Sequence, residues 1–200
     1  MGKYNRVKAD AFNEIQKDAG MILSDFDPTG KTAIQDSQIL FTTTGGIDIK
    51  CQPIITDFGE DIDNVPNGTM ELMEIDQYDC SIGFTAVSVT DESVRWQLGA
   101  ADISNADGTS GTNAVKKITP RVTIKTDTDF KDLWWVGPMH GGGFCACVLK
   151  NAFTADGFNL KTTKKGKGNC AVSLGGHYSI NNVDEVPMDF YVIPGPVSST

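Results

Sequence analysis

The side chains in this 200-residue sequence that could do chemistry are few: five cysteines, two histidines and a scatter of carboxylates. Cys145 and Cys147 stand two apart, on one face of any strand through 144–149, and with His140 and Cys170 they have the residue types of a zinc site. Small buried residues lining a sheet account for the same spacing, and that reading weighs more. His177 sits in Gly175-Gly176-His177-Tyr178-Ser179 without a nucleophile at motif spacing, so it reads as structural rather than as a general base. Gly30-Lys31-Thr32 resembles the end of a phosphate-binding loop, but the first glycine of that motif is replaced by Asp25, which has the wrong charge. Asp61, Asp63, Asp76 and Asp79 lack the alternating oxygen ligands, glycine and closing glutamate of a calcium loop. No catalytic constellation, metal or cofactor is expected, and an enzyme is the weakest of the functional classes.

Two further features bear on contacts. Trp134 and Trp135 are adjacent, so on a strand one indole enters the core and the other faces out, where it could anchor a subunit contact. Lys161, Lys164, Lys165 and Lys167 fall in a turn-rich stretch without interleaved aromatics, which suits a solvated loop or an acidic neighbour better than a nucleic-acid track. Asn67-Gly68-Thr69 spells a glycosylation sequon, but without a secretion signal it reads as a turn.

These residues sit in a chain whose charge is unevenly placed. The formal net charge of -9 makes a tight grip on a phosphate backbone improbable. Residues 51–112 hold 12 acidic groups and one basic group, Arg95, whereas residues 113–170 hold 10 basic and 4 acidic groups. Folded into opposite poles, such blocks favour head-to-tail contact between copies. Residues 1–12 contain no apolar run, and no stretch is long enough to span a membrane, so neither a secretory signal nor a membrane anchor is expected. An odd number of scattered cysteines points to a reducing compartment with mostly free thiols.

The elements that must position these groups follow from periodicity and turn chemistry. A short helix is expected over 8–19 from Phe12, Ile15 and Ala19, with Gly20 ending it. Strands are expected over 37–43, 47–52, 70–75, 79–85, 116–124, 133–136, 144–149, 158–162, 171–179 and 188–193. Residues 61–68 and 105–113 read as loops, and Thr154–Phe158 as a hairpin turn built on Asp156-Gly157. A second helix over 87–99 has Thr90 or Ser88 as cap, acids in its first turn, and Gly99 as its stop. The expected fold is mainly β (α+β): an antiparallel β-sandwich or partly closed barrel flanked by one or two short helices. The chain reads as one domain over 1–200, with an N-terminal arm and helix over 1–36 and a long extended hairpin or loop over 45–77.

An ordered series of phrases resembles the major tail proteins, the tail-tube subunits of long-tailed bacteriophages that infect Gram-positive hosts. It begins with Phe12 to Phe26 and Asp25-Phe26-Asp27-Pro28, followed by Gly45-Gly46-Ile47 at the head of an extended region. It continues with a helix closed by Leu98-Gly99-Ala100-Ala101-Asp102, the Phe158–Thr162 stretch, Gly175-Gly176-His177-Tyr178 and Pro187–Pro194. The resemblance implies a sandwich flanked by helix, with a hairpin or loop reaching a neighbouring subunit. It also implies hexameric rings stacked into a tube that delivers DNA, assembled in the bacterial cytoplasm and residing in the virion tail. Implied partners are further copies of the chain, the tape measure, the tail terminator and baseplate proteins, with DNA passing only transiently. Expected at the subunit contact are Phe26, Ile47, Ile49, Ile54, Met70, Leu72 and Trp135. Asp57, Glu60, Asp61, Asp63, Glu71, Glu74, Asp76 and Asp79 are expected to line the lumen or cap loops. A tail terminator or baseplate hub ring is the alternative, and a carbohydrate-binding sandwich with Trp135 as platform is a more distant one.

Overall fold

Alternation builds the longest strands, and where they bend the sequence supplies a bulge. The computed structural model describes residues 7–8, 10–30, 32–106, 114–154, 156–193 and 195; strand makes up 47% and helix 11%, so the fold is mainly β. One layer has the order β2 (Ile39–Phe41), β1 (Met21–Leu23), β7 (Lys131–Pro138), β8 (Phe144–Thr154), β11 (Met188–Ile193). The other has β10 (Asn169–Gly175), β4 (Met73–Ala86) and β3 (Thr43–Asp57), with the short β9 (Leu160–Lys161) on the far edge of β10. All these pairings are antiparallel.

Strand β8 joins the layers. Residues 144–149 lie between β7 and β11, while Phe153 and Thr154 pair with β10. In between, the register slips so that Lys150 and Asn151 both stand opposite Asp132, and Asn151 has a φ of 48°. A bulge bends its strand, and here it turns β8 from one layer into the other. The corner is clamped: the Asn151 amide donates to Asp132 at 3.0 Å, and Asn151 Nδ2 donates to the His177 carbonyl at 2.9 Å. The His177 ring packs edge-on against Phe130 and Phe153, with Nδ1 3.2 Å from the Asn151 carbonyl. His177 therefore serves the bend, as its isolated sequence context suggests.

The principal core lies between the layers, with Ile22, Leu133, Cys147, Leu149 and Met188 on one side and Cys80, Ile82, Phe84, Val172 and Leu174 on the other. A smaller cluster covers the outer face of the first layer, where Leu23, Val136 and Ala146 meet Phe26, Ile34, Trp134 and Tyr191. The two tryptophans divide as period two requires. Trp135 packs on the principal core and donates from Nε1 to the Ala19 carbonyl at 2.9 Å, while Trp134 sits in the outer cluster against Phe26.

Helix α1 (Asp91–Leu98) forms where its cap directs. Thr90 Oγ1 accepts from the Ser93 amide, Ser93 Oγ accepts from the Thr90 amide, and Gly99 closes the helix with a φ of 70°. It starts later than residue 87 because Val87 and Ser88 are engaged by the backbone of Thr42. After it, β5 (Ala101–Asn105) and β6 (Lys116–Pro120) make a separate two-stranded ribbon. Arg121 anchors the chain beyond the ribbon through Asp129 at 2.7 Å and Asp102 at 2.9 Å.

Other expectations are corrected. The helix over 8–19 is absent: only a 3-10 turn, Ala11–Glu14, forms, and Phe12 and Ile15 are exposed. The backbone of this stretch is taken up by the β7–β8 turn, with Lys17 bonded to Pro138, Ile15 to His140 and Asn13 to Gly141. The strands expected over 70–75 and 79–85 are one continuous β4 preceded by a 3-10 turn at Met70–Leu72. The strand over 37–43 shortens to β2 behind a 3-10 turn at Asp36–Gln38, and Gly45-Gly46 forms a bulge inside β3 instead of ending it. The strand over 158–162 shrinks to β9. Of the loop over 105–113, residues 107–113 lie outside the described residues, as does Ala155 in the Asp156-Gly157 turn.

Candidate assembly surface

The feature that stands apart is the outer half of the β3–β4 hairpin. Its inner half belongs to the sandwich: Ile47, Ile49 and Cys51 pair with Phe84, Ile82 and Cys80, and all six face the principal core. Strand β10 and the chain after it let go of β4 at a defined point. Gly176 donates to the Cys80 carbonyl at 2.9 Å, and the Tyr178 hydroxyl accepts from the Tyr78 amide at 2.7 Å. From Tyr78 outward, β4 pairs only with β3, and an arm of five or six residues per strand extends about 15 Å before its loop.

The arm keeps the two-faced character of the body without the body's cover. Cross-strand partners share a face, so the register places Pro53 and Tyr78, Ile55 and Ile75, and Asp57 and Met73 on the continuation of the core side. The opposite face carries Gln52 and Asp79, Ile54 and Gln77, Thr56 and Glu74. Asp76 is the extra residue of a bulge and accepts from Thr56 Oγ1 at 2.5 Å. Ile55, Met73 and Ile75 are each more than two-fifths exposed, as is Ile54 on the other face.

The tip, residues 58–72, is held from within. Asp57 accepts from the amides of Gly59 at 2.8 Å and Gly68 at 2.7 Å, and the Phe58 amide donates to the Leu72 carbonyl at 2.9 Å. Asn64 and Gly68 take left-handed φ angles of 65° and 78°, which the turn requires. This order presents Phe58, Ile62 and Met70 outward, with Met70 78% exposed. Seven large apolar side chains thus stand uncovered on the arm and tip. Covering them would return on the order of 10 kcal/mol before the costs of association.

Charge is segregated along the same axis. Glu60, Asp61, Asp63, Glu71 and Glu74 are exposed, with no ion pair among the described residues. Asp79 is paired with Lys50 at 2.5 Å, and Asp57 and Asp76 are engaged in the hairpin itself. Lys161 ends β9, and Lys164, Lys165 and Lys167 lie in the β9–β10 turn, which the register Cys170↔Ala86 puts at the end of β4 farthest from the tip. The acidic tip and the lysine turn are therefore opposite poles, the arrangement that the sequence blocks allow.

The residues expected at a subunit contact divide sharply. Ile54 and Met70 are exposed on the arm. Ile47 and Ile49 are half-buried against the core, and Leu72 is half-buried beneath Gly59, where a Cβ would stand 3.1 Å from its Cδ1. Phe26 is buried in the outer cluster, and Trp135 is half-buried against the core with its indole bonded to Ala19. Sequence reading missed Ile55, Phe58, Ile62, Met73 and Ile75. The one signal was the pair Ile54-Ile55, which puts apolar groups on both faces of a strand.

The remaining chemical candidates do not converge. Cys147 and Cys170 are buried in the core, where desolvation pushes both thiols up, Cys147 to about 12. Cys145 donates to the Gly137 carbonyl, while His140 lies exposed against Phe12. Among the described residues no group of three or more such side chains could hold a metal ion. At the Gly30 turn, the Asp27 carboxylate takes hydrogen bonds from Thr29 and Thr32, so a carboxylate fills the place a phosphate would need. At Asp129 burial pushes the carboxyl up, but the Lys125 amide and the Arg121 guanidinium outweigh it and hold the group below the usual carboxylate range.

No protein-family model matches the chain, and no curated protein matches it in sequence.

Proposed function

We propose that the protein is a structural virion subunit that assembles with itself into stacked, hexameric rings forming a phage tail tube. One observation carries this reading: an ordered, two-faced arm continues the apolar side of the core beyond the body, where nothing among the described residues covers it. The arm's apolar face docks on a neighbouring copy, and the lysine turn of one subunit faces the acidic tip of another. Open edges of β3 and β11 offer further strand pairing. Glu74, exposed on the arm face opposite the core side and without an ion pair among the described residues, supplies negative charge to a lumen that repels the phosphate backbone during passage. The tape measure, tail terminator and baseplate proteins are the partners at the tube's interior and ends. Electron micrographs of purified protein at micromolar concentration test this: rings and tubes of uniform width support it, a single unstacked ring favours a terminator or hub, and a strict monomer refutes it.

A further inference from the structure

The hairpin carries a second feature at the point where arm and body meet. Cys51 and Cys80 are direct cross-strand partners with their sulfurs 3.4 Å apart, and both are free thiols. The Cys80 carbonyl points away from β3, accepting from Gly176 on its other side, so the two cysteines form a non-hydrogen-bonded pair. Such pairs have Cα atoms about 4.5 Å apart with side chains close together, inside the range a disulfide spans. Cys80 is buried at 2% exposure, while Cys51 is half-buried and reachable from solvent.

We propose that Cys51 and Cys80 are a reversible disulfide site that staples the root of the arm when the protein meets a small-molecule disulfide. The chemistry is thiol–disulfide exchange in two steps. The Cys51 thiolate attacks one sulfur of oxidised glutathione and expels a glutathione thiolate, leaving a mixed disulfide on Cys51. Cys80 gives its proton to solvent and attacks the Cys51 sulfur, expelling the second glutathione thiolate. Two protein thiols are oxidised, and one glutathione disulfide is reduced to two thiols. In the reduced protein burial and the hydrogen bond to Cys51 push the Cys80 thiol up to about 12; the burial persists once Cys51 carries glutathione, so the second step is slow near neutrality and faster at alkaline pH. The bond closes a loop running from Cys51 through the tip to Cys80 and fixes the two strands at the place where β10 parts from β4. This site does not depend on the tail-tube reading.

The folded protein is incubated with oxidised glutathione at pH 8, its free thiols are alkylated, and its peptides are mapped by mass spectrometry. The expected product lacks two of the five alkylatable thiols, contains a Cys51–Cys80 linkage, and reverts with dithiothreitol. Cys80→Ala stops at a glutathione adduct on Cys51, and Cys51→Ala, at the less buried position, forms no linkage. In 6 M urea the selectivity for Cys51–Cys80 is lost and linkages among the other cysteines appear, because the pre-set pairing is gone. Amides of residues 52–57 and 73–79 exchange hydrogen more slowly in the oxidised protein. In the folded protein, five thiols that stay free, a glutathione adduct that persists without substitution, linkage to Cys145, Cys147 or Cys170, or unchanged exchange in the arm would each overturn the proposal.

Discussion

Strands β3 and β4 lead two lives on either side of Cys51 and Cys80. Inside that point Ile49 and Ile82 face the core, and Ile82 is fully buried; outside it Ile55 and Ile75 have the same type, pairing and face, yet stand about half exposed. The apolar type on this face persists across the boundary, although the outer half of β4 adds Glu74, Asp76 and Asp79. What changes is the neighbour of β4 within its own layer: the chain after β10 reaches it at Tyr78 through Tyr178, and among the described residues β4 pairs with nothing but β3 farther out. The hydrophobic effect depends on area removed from water, so identical residues stabilise the fold in one half and are left exposed, available for association, in the other.

Substitutions can break or sharpen that contrast, and their effects on fold stability fall in order. Leu149→Ala, in the fully buried bend strand, is expected to cost about 3 kcal/mol, read as a lowered midpoint in urea. Asp129→Ala leaves the Lys125 amide without its acceptor and is expected to cost about 2 kcal/mol. Because the Asp129 pKa is lowered in the folded state, its contribution is present above the ordinary carboxylate pKa of about 4 and fades as pH falls through the folded value. The gap in melting temperature between wild type and Asp129→Asn is therefore expected to be full at pH 7 and to close below pH 4. A gap that widens on acidification would contradict that assignment.

Reversing the lysine turn, with Lys164→Glu and Lys165→Glu together, is expected to change stability by less than about 0.5 kcal/mol. It should raise the concentration needed for assembly several-fold at low salt and much less at 0.5 M salt, measured by sedimentation. The smallest effect on the fold is expected from Ile55→Lys with Ile75→Glu, cross-strand partners on the uncovered face that then carry opposite charges. There the melting temperature should hold within a few degrees while assembly is lost.

Much of the body was legible because its signals are local. Alternation marked Ile47–Gln52 and residues 79–85, Thr90 and Gly99 bracketed α1 to within a few residues, and Trp134-Trp135 split between faces as a strand demands. The N-terminal helix failed because Phe12 and Ile15, though helically spaced, had no face to cover, while the β7–β8 turn offered their backbone partners. The contact surface was legible only in part, since periodicity shows which residues share a face and not what covers that face. Phe26 and Ile55 look equally apolar in sequence; one is buried beneath Trp134 and Phe144, and the other is left in solvent.

The most direct measurement compares the oligomeric state of the wild type with that of the Ile55→Lys/Ile75→Glu protein, by sedimentation velocity and electron microscopy at the same micromolar concentrations. The arm as an assembly surface predicts rings or tubes for the wild type and folded monomers for the variant, with matching thermal unfolding. A variant that assembles as the wild type does, or a wild type that stays monomeric throughout, would contradict it.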